Sequence, residues 1–119
     1  MARILLAEDD ASMRQFLSAA LSRAGHAVEA VEDGEKAYAV VRDGRHDLLL
    51  ADIVMPGMDG IELARRAAEV APTLKIMFIT GFAAIAMKHR YQAGPRAQIL
   101  SKPFHLRDLV DQVDRLLSA

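Results

Sequence analysis

Cysteine is absent from this chain of 119 residues. Its absence removes disulfides, thiolate metal sites and thiol catalysis together, and it suits a reducing compartment. An excess of positive charge is missing as well. Lys and Arg number 15 against 16 Asp and Glu, a formal net charge of −1, so bulk attraction to nucleic acid or an anionic membrane is not built in. No segment approaches the length of a membrane span, and the opening "MARILLAEDD" has too short an apolar stretch for a signal peptide. These absences lead to the expectation of a cytoplasmic protein. Internal repeats, low-complexity tracts and linkers are missing too. What remains is 52% hydrophobic and 26% charged, the make-up of one ordinary globular domain with a core of its own.

Short β-rich runs alternate with longer stretches of helical period. Ile4 to Ala7 is a buried-strand candidate. In "ASMRQFLSAALSRAG", the residues Met13, Phe16, Leu17, Ala20, Leu21 and Ala24 recur at helical spacing, and Gly25 offers a stop. Val28 and Val31 sit in a weaker strand whose polar interruptions suggest a sheet edge. "DGEKAYAVVRDG" reads as a short helix ending at Gly44, and Leu48 to Ala51 as the next strand. Asp59 then caps "GIELARRAAEVA", with Glu62 three residues on as in a capping box, and Pro72 stops that helix. "LKIMFIT" is strand again, followed by a poorer helix over 84–93 and the short strand "AQILS". Leu106, Leu109, Val110, Val113, Leu116 and Leu117 stripe the closing helix. A strand–helix pair repeated five times implies an α/β fold: a parallel sheet with helices on both faces and right-handed crossovers. Five strands suit the flavodoxin-like doubly wound order 2-1-3-4-5, in which ligands gather beyond the carboxyl ends of the strands.

Those strand ends carry chemistry. Glu8, Asp9 and Asp10 follow the first strand, Asp52 ends the third, Thr80 the fourth, and Ser101-Lys102-Pro103 the fifth. Each has a plainer reading. An acidic run before a helix complements its dipole, Asp52 alone could form a turn, and a threonine or lysine alone means little. Chance, however, would scatter such residues to both rims of the sheet, and here all fall on one. Hard oxygen ligands suit Mg²⁺, which binds through one or two carboxylates plus phosphate oxygens. A carboxylate beside that metal can attack phosphorus, and a lysine and hydroxyl nearby can hold the phosphoryl oxygens.

In "ILLAEDD", "DIVMPGMDG", "FITG" and "LSKPF" the chain resembles the receiver domains of two-component response regulators, CheY-like in fold, over essentially its whole length. The resemblance implies that Asp52 is the phospho-acceptor for a histidine kinase or histidine phosphotransfer protein. It implies that Glu8, Asp9 and Asp52, with the Val54 backbone carbonyl, hold Mg²⁺. Asp10 would begin the helix instead. Thr80 and Lys102 would contact the phosphoryl group, and the Lys102–Pro103 bond would be cis. Such a protein is no enzyme but a signalling acceptor that assists its own phosphotransfer and dephosphorylation. The expectation is a single receiver domain over 1–119 with no effector domain, whose phosphorylation switches protein–protein affinity on the face of the helix over 84–93, the last strand and the closing helix. "RILLAEDD", "ITGFAA" and "ILSKPFHLRDLV" further resemble CpdR-type regulators, which implies an adaptor for the ClpXP protease that phosphorylation switches off.

Two departures stand out. Receivers usually carry an aromatic three positions before the lysine; here it is Ile99, which cannot swing as a ring does. Val54 and Phe82, two residues after Asp52 and Thr80, cannot orient an attacking water, so slow self-hydrolysis is expected. Three rival readings follow from the same residues. A phosphatase of the haloacid dehalogenase type needs a second acid where Val54 stands. A flavin protein needs a glycine- and hydroxyl-rich phosphate loop where "EDDAS" would repel a phosphate. A degenerate receiver acting as a constitutive protein-binding module is favoured by Ile99 and opposed by the intact acids and lysine. His26, His46, His89 and His105 share no metal-ligand spacing and read as surface or capping residues. Met55 and Met58 read as packing, because a hard cation would not choose thioether sulfur. Tyr91, beside Lys88, His89 and Arg90, offers a partner surface, with a solvated helix face as the plainer reading.

Overall fold

Apolar runs bounded by acids and glycines become the central strands, because a parallel strand covered on both faces has no solvent side to keep polar. The computed structural model describes residues 2–81 and 98–118. In chain order its elements are β1 (Arg3–Ala7), α1 (Ala11–Arg23), β2 (Ala27–Val31), α2 (Gly34–Val41), β3 (Leu48–Asp52), α3 (Gly60–Val70), β4 (Lys75–Thr80), β5 (Gln98–Ser101) and α4 (Leu106–Ser118). The expected helix over 84–93, with Tyr91 and His89, and the residue Phe82 lie outside the described residues. All pairings are parallel and the sheet order is β2-β1-β3-β4-β5, the doubly wound order that the alternation implies.

Alternation along the strands splits the core in two. Leu5, Leu49, Ile76 and Phe78 point to one face and pack with Ala37 and Val41 of α2 and Leu63, Ala64 and Ala67 of α3. Ile4, Leu6, Leu48, Leu50, Met77 and Ile79 point to the other and pack with Leu17 and Leu21 of α1 and Leu109, Val113 and Leu116 of α4. Burying each large aliphatic side chain stabilises the fold by about 1.5–3 kcal/mol. Register pairs Ala7 with Ala51, Asp52 with Ile79, and Thr80 with Ser101. The carboxyl ends of β1, β3, β4 and β5 therefore finish level on one rim.

Helix ends follow local chemistry. Asp10 caps α1 by accepting from the Met13 N–H at 2.9 Å. At its other end the Gly25 and His26 N–H groups return to the Ser22 and Leu21 carbonyls, the double closure of a Schellman motif. Asp33 caps α2 and Asp59 caps α3. The capping box at α3 is only half formed. Asp59 takes the Glu62 N–H at 2.8 Å, but the Glu62 carboxylate turns away to Arg65 and Arg66 at 2.6 Å each. The hydrogen bonds from those two guanidiniums hold the Glu62 carboxyl down at about 2. Charged partners one turn along the helix outcompete the neutral backbone donor.

Two expectations about side chains are corrected. Phe16, though at helical spacing, is 54% exposed; the buried arc of α1 is narrower than the apolar stripe and takes Leu17, Ala20 and Leu21 instead. Of the residues read as surface or capping, His26 does take part in the cap of α1 through its N–H, but the side chains of His26 and His46 are not on the surface. Their side chains are 9% and 5% exposed and meet Asp114 and Glu29 respectively, each at 3.2 Å. His26 Nδ1 accepts from the Ala2 N–H, so its Nε2 carries the proton toward Asp114. Both lie at the amino ends of strands, on the rim opposite the acids. His105 is exposed and its carbonyl receives the first N–H groups of α4, a capping position. Met55 and Met58 pack against the core, as their thioether chemistry implied.

The correction at α1 is measurable by urea denaturation. Leu17→Ala should destabilise the protein by about 2–5 kcal/mol. Phe16→Ser should change it by no more than about 0.5 kcal/mol, since both residues have similar helix propensity.

Candidate functional site

Among the described residues the buried polar or charged ones are Glu8, Asp52 and Thr80; Asp52 and Thr80 end their strands and Glu8 directly follows β1, all on the same rim. A carboxylate is costly to bury unless paired and hydrogen-bonded, so their partners define the site. Asp52 is 9% exposed. The Lys102 ammonium donates to its Oδ2 at 3.0 Å, and the Val54 N–H donates to its Oδ1 at 3.2 Å. Lys102 arrives from beyond β5, where its own N–H donates to the Thr80 carbonyl at 2.8 Å. The Lys102–Pro103 peptide bond is cis. Glu8 extends β1, its N–H donating to the Val31 carbonyl at 3.1 Å. Its Oε2 accepts from the Asp10 N–H at 3.3 Å, while its Oε1 is buried without a hydrogen bond, 3.6 Å from the Lys102 ammonium.

Glu8, Asp9 and Asp52 each present an oxygen within 4.8 Å of the others. Burial, and then the charge of Asp52, push the Glu8 carboxyl up to about 7. Burial pulls on Lys102 in the neutral direction, but the hydrogen bond and charge of Asp52, with Glu8 behind, outweigh it and hold the ammonium above its ordinary value. One cation is thus shared between acids that repel each other. An all-oxygen donor set with a buried, unsatisfied carboxylate oxygen fits a hard divalent cation better than any soft metal. Asp10, spent on its cap, stands apart from the set, as expected.

Thr80 is fully buried at the end of β4. Val54 is 55% exposed beside the acids. Ile99 is half-buried and packs against the core face that holds Phe78. Arg14 was not expected in the site. Its Nη1 donates to the Glu8 carbonyl at 2.9 Å and leans toward that of Asp9 at 3.5 Å, pinning the turn that carries both acids. The signal was present: a cation in the opening turns of a helix opposes the dipole, and such a placement asks for another reason. A hollow of about 810 Å³ opens on the far rim between His26, His46, Asp47, Lys75 and Asp114. Its carboxylates are engaged, Asp114 with His26 and Asp47 with the Arg3 N–H, and it holds none of the strand-end chemistry. Among the described residues no helix is long and apolar enough to cross a membrane.

The crowding of acids gives metal-free protein a pH signature. Glu8 binds its proton more tightly in the folded chain, at about 7, than at its ordinary 4.5. Between those values the native state holds more protons than the unfolded one, so stability falls as pH rises through that window. Without divalent cations, Glu8→Gln should raise Tm at pH 8, and the advantage should vanish near pH 5; matched thermal melts check it.

The model of the response regulator receiver domain matches residues 4–114. The response regulator receiver protein CpdR of Brucella abortus is 57% identical over 119 residues, covering 100% of this chain and 99% of that protein. The DNA-binding transcriptional regulator NtrC of Azospirillum brasilense is 33% identical over 99% of this chain but only 24% of its own length. Among solved structures, a response regulator receiver protein from Sinorhizobium medicae superposes with a TM-score of 0.89 at 35% identity, over 99% of this chain and 95% of that one. A CheY-like receiver domain from Methanospirillum hungatei reaches 0.92 at 28% identity, over 99% and 94%.

Proposed function

The chain belongs to the response regulator receiver family, and from that premise we propose that it works as a single receiver domain whose phospho-acceptor is Asp52. The observation that carries the reading is the convergence of Glu8, Asp9 and Asp52 with Lys102 3.0 Å from the acceptor carboxylate. The donor is a histidine kinase or histidine phosphotransfer protein in the cytoplasm. An Asp52 oxygen forms the new O–P bond as the donor's P–N bond breaks, its electron pair leaving with the imidazole. Mg²⁺, held by Glu8, Asp9, Asp52 and the Val54 carbonyl, would neutralise charge on the phosphoryl oxygens. Lys102, already bonded to the acceptor, follows the charge onto the phosphoryl group, and the Thr80 hydroxyl closes on it. Phosphorylation adds a charge of about −1.5 to −2 and shifts a two-state equilibrium of the surrounding loops. The readout is a change in affinity for a protein partner.

A second reading of the output rests on the 57% identity to CpdR over the full chain: the partner is the ClpXP protease, with this domain as its adaptor and phosphorylation turning the adaptor off. The constitutive-module reading is disfavoured by the same convergence of acids and lysine, which a static scaffold would not need. Ile99 lacks a swinging ring, so the switch runs through Thr80 and its loop.

Incubation with acetyl phosphate and Mg²⁺ should add one phosphoryl group by intact mass; Asp52→Asn or a chelator should abolish it. An unlabelled wild-type chain would defeat the reading. Because exposed Val54 cannot orient a water, the purified phospho-protein should outlast seconds in Mg²⁺, with loss accelerated by a phosphotransfer partner. A half-life of seconds, followed by mass at timed quenching, would count against that.

A further inference from the structure

The β3–α3 loop, residues 53–59, holds the backbone that addresses the acceptor: the Val54 N–H donates to Asp52 Oδ1 at 3.2 Å. Its far end is gripped from α2. Glu35, in the first turn of α2, crosses to the loop, and its Oε1 accepts from the Met58 N–H at 3.1 Å. Gly57 beside it has φ +74°, and a Cβ there would lie 2.7 Å from that same Glu35 oxygen. Gly34, at the start of α2, abuts Met58 so closely that a Cβ would stand 2.4 Å from the Met58 carbonyl oxygen. The Gly60 N–H then closes the loop onto the Ile53 carbonyl at 2.8 Å. An acid in a first helical turn is ordinarily explained by the dipole. That explanation requires neither the Met58 contact nor two glycines shaped around it.

We propose that Glu35 is a positioning residue for phosphoryl acceptance, pinning the β3–α3 loop at Met58 so that the Val54 backbone stays set against the Asp52 carboxylate. The proposal rests on the reading of Asp52 as phospho-acceptor. A carboxylate accepting from a backbone N–H is a charge-assisted hydrogen bond, and its loss removes the hydrogen bond that holds the Met58 backbone to α2. Glu35 touches neither the acids nor the donor; it acts through five residues of loop.

Glu35→Ala and Glu35→Gln in the full chain test it, since glutamine keeps the acceptor oxygen and drops the charge. The first readout is amide hydrogen exchange in metal-free protein, followed by NMR at Met58, Val54 and, as a sheet reference, Leu49. The second is the rate of acetyl phosphate labelling across a Mg²⁺ titration. Glu35→Ala should speed exchange at Met58 and Val54 by about fivefold relative to Leu49, and slow labelling at sub-saturating Mg²⁺ by a similar factor, the scale of one lost hydrogen bond. Glu35→Gln should stay within about twofold of wild type on both counts. Unchanged exchange at Val54 in Glu35→Ala overturns the proposal, as does an equal rise at Leu49, which marks general loosening. A Glu35→Gln as impaired as Glu35→Ala also overturns it, because charge and not positioning would then be the cause. Failure of wild type to accept phosphorus would instead defeat the acceptor reading, while the exchange measurement still judges the grip of Glu35 on the loop.

Discussion

Three carboxylates crowd the carboxyl end of a parallel sheet, and the ammonium of Lys102 stands against them. That imbalance organises the structure around it. Lys102 can reach Asp52 only because β5 pairs with β4 in a register that ends both strands together. Asp52 can be held there only because β3, buried at every position, brings it out of the core at a fixed height. Glu8 is carried in by β1 with its carbonyl pinned by Arg14. The sheet contributes no chemistry of its own. It sets the separations, and the separations leave like charges closer than water alone would tolerate, an arrangement that a divalent cation relieves.

The same logic sorts the helices. α1 and α4 cover one face and α2 and α3 the other. Among the described residues the backbone and side-chain contacts to the acids come from the opening of α1 and from the loops that precede α3 and α4. Asp10, Arg14 and Glu35 all belong to opening turns, where unpaired N–H groups and short loops make backbone available to side chains.

Much of this was legible in the residues, for identifiable reasons. Strands buried on both faces read as bare apolar runs, so β1, β3 and β4 were visible, with the acids at the ends of the first two and Thr80 at the end of β4. The closing helix was visible because its stripe is unbroken. Phe16 misled because spacing marks a helical face but not how far its partner reaches. His26 and His46 misled because their carboxylates lie far away in sequence, Asp114 standing 88 positions from His26. Glu62 followed a motif in its spacing but found two stronger partners. Arg14 and Glu35 were silent because each bonds a backbone group, and every residue has one of those. Side-chain contacts from loop histidines to distant acids, and main-chain contacts across loops, leave no periodic trace.

One property of β3 reaches further. From Leu48 to Ala51 it is apolar, fully enclosed and hydrogen-bonded in register on both edges, so it has no slack to give. Behind the Asp52 carboxylate the chain is clamped on both edges and both faces; ahead of it lies the β3–α3 loop, tethered to that carboxylate through the Val54 N–H. The two sides of one residue thus meet very different stiffness.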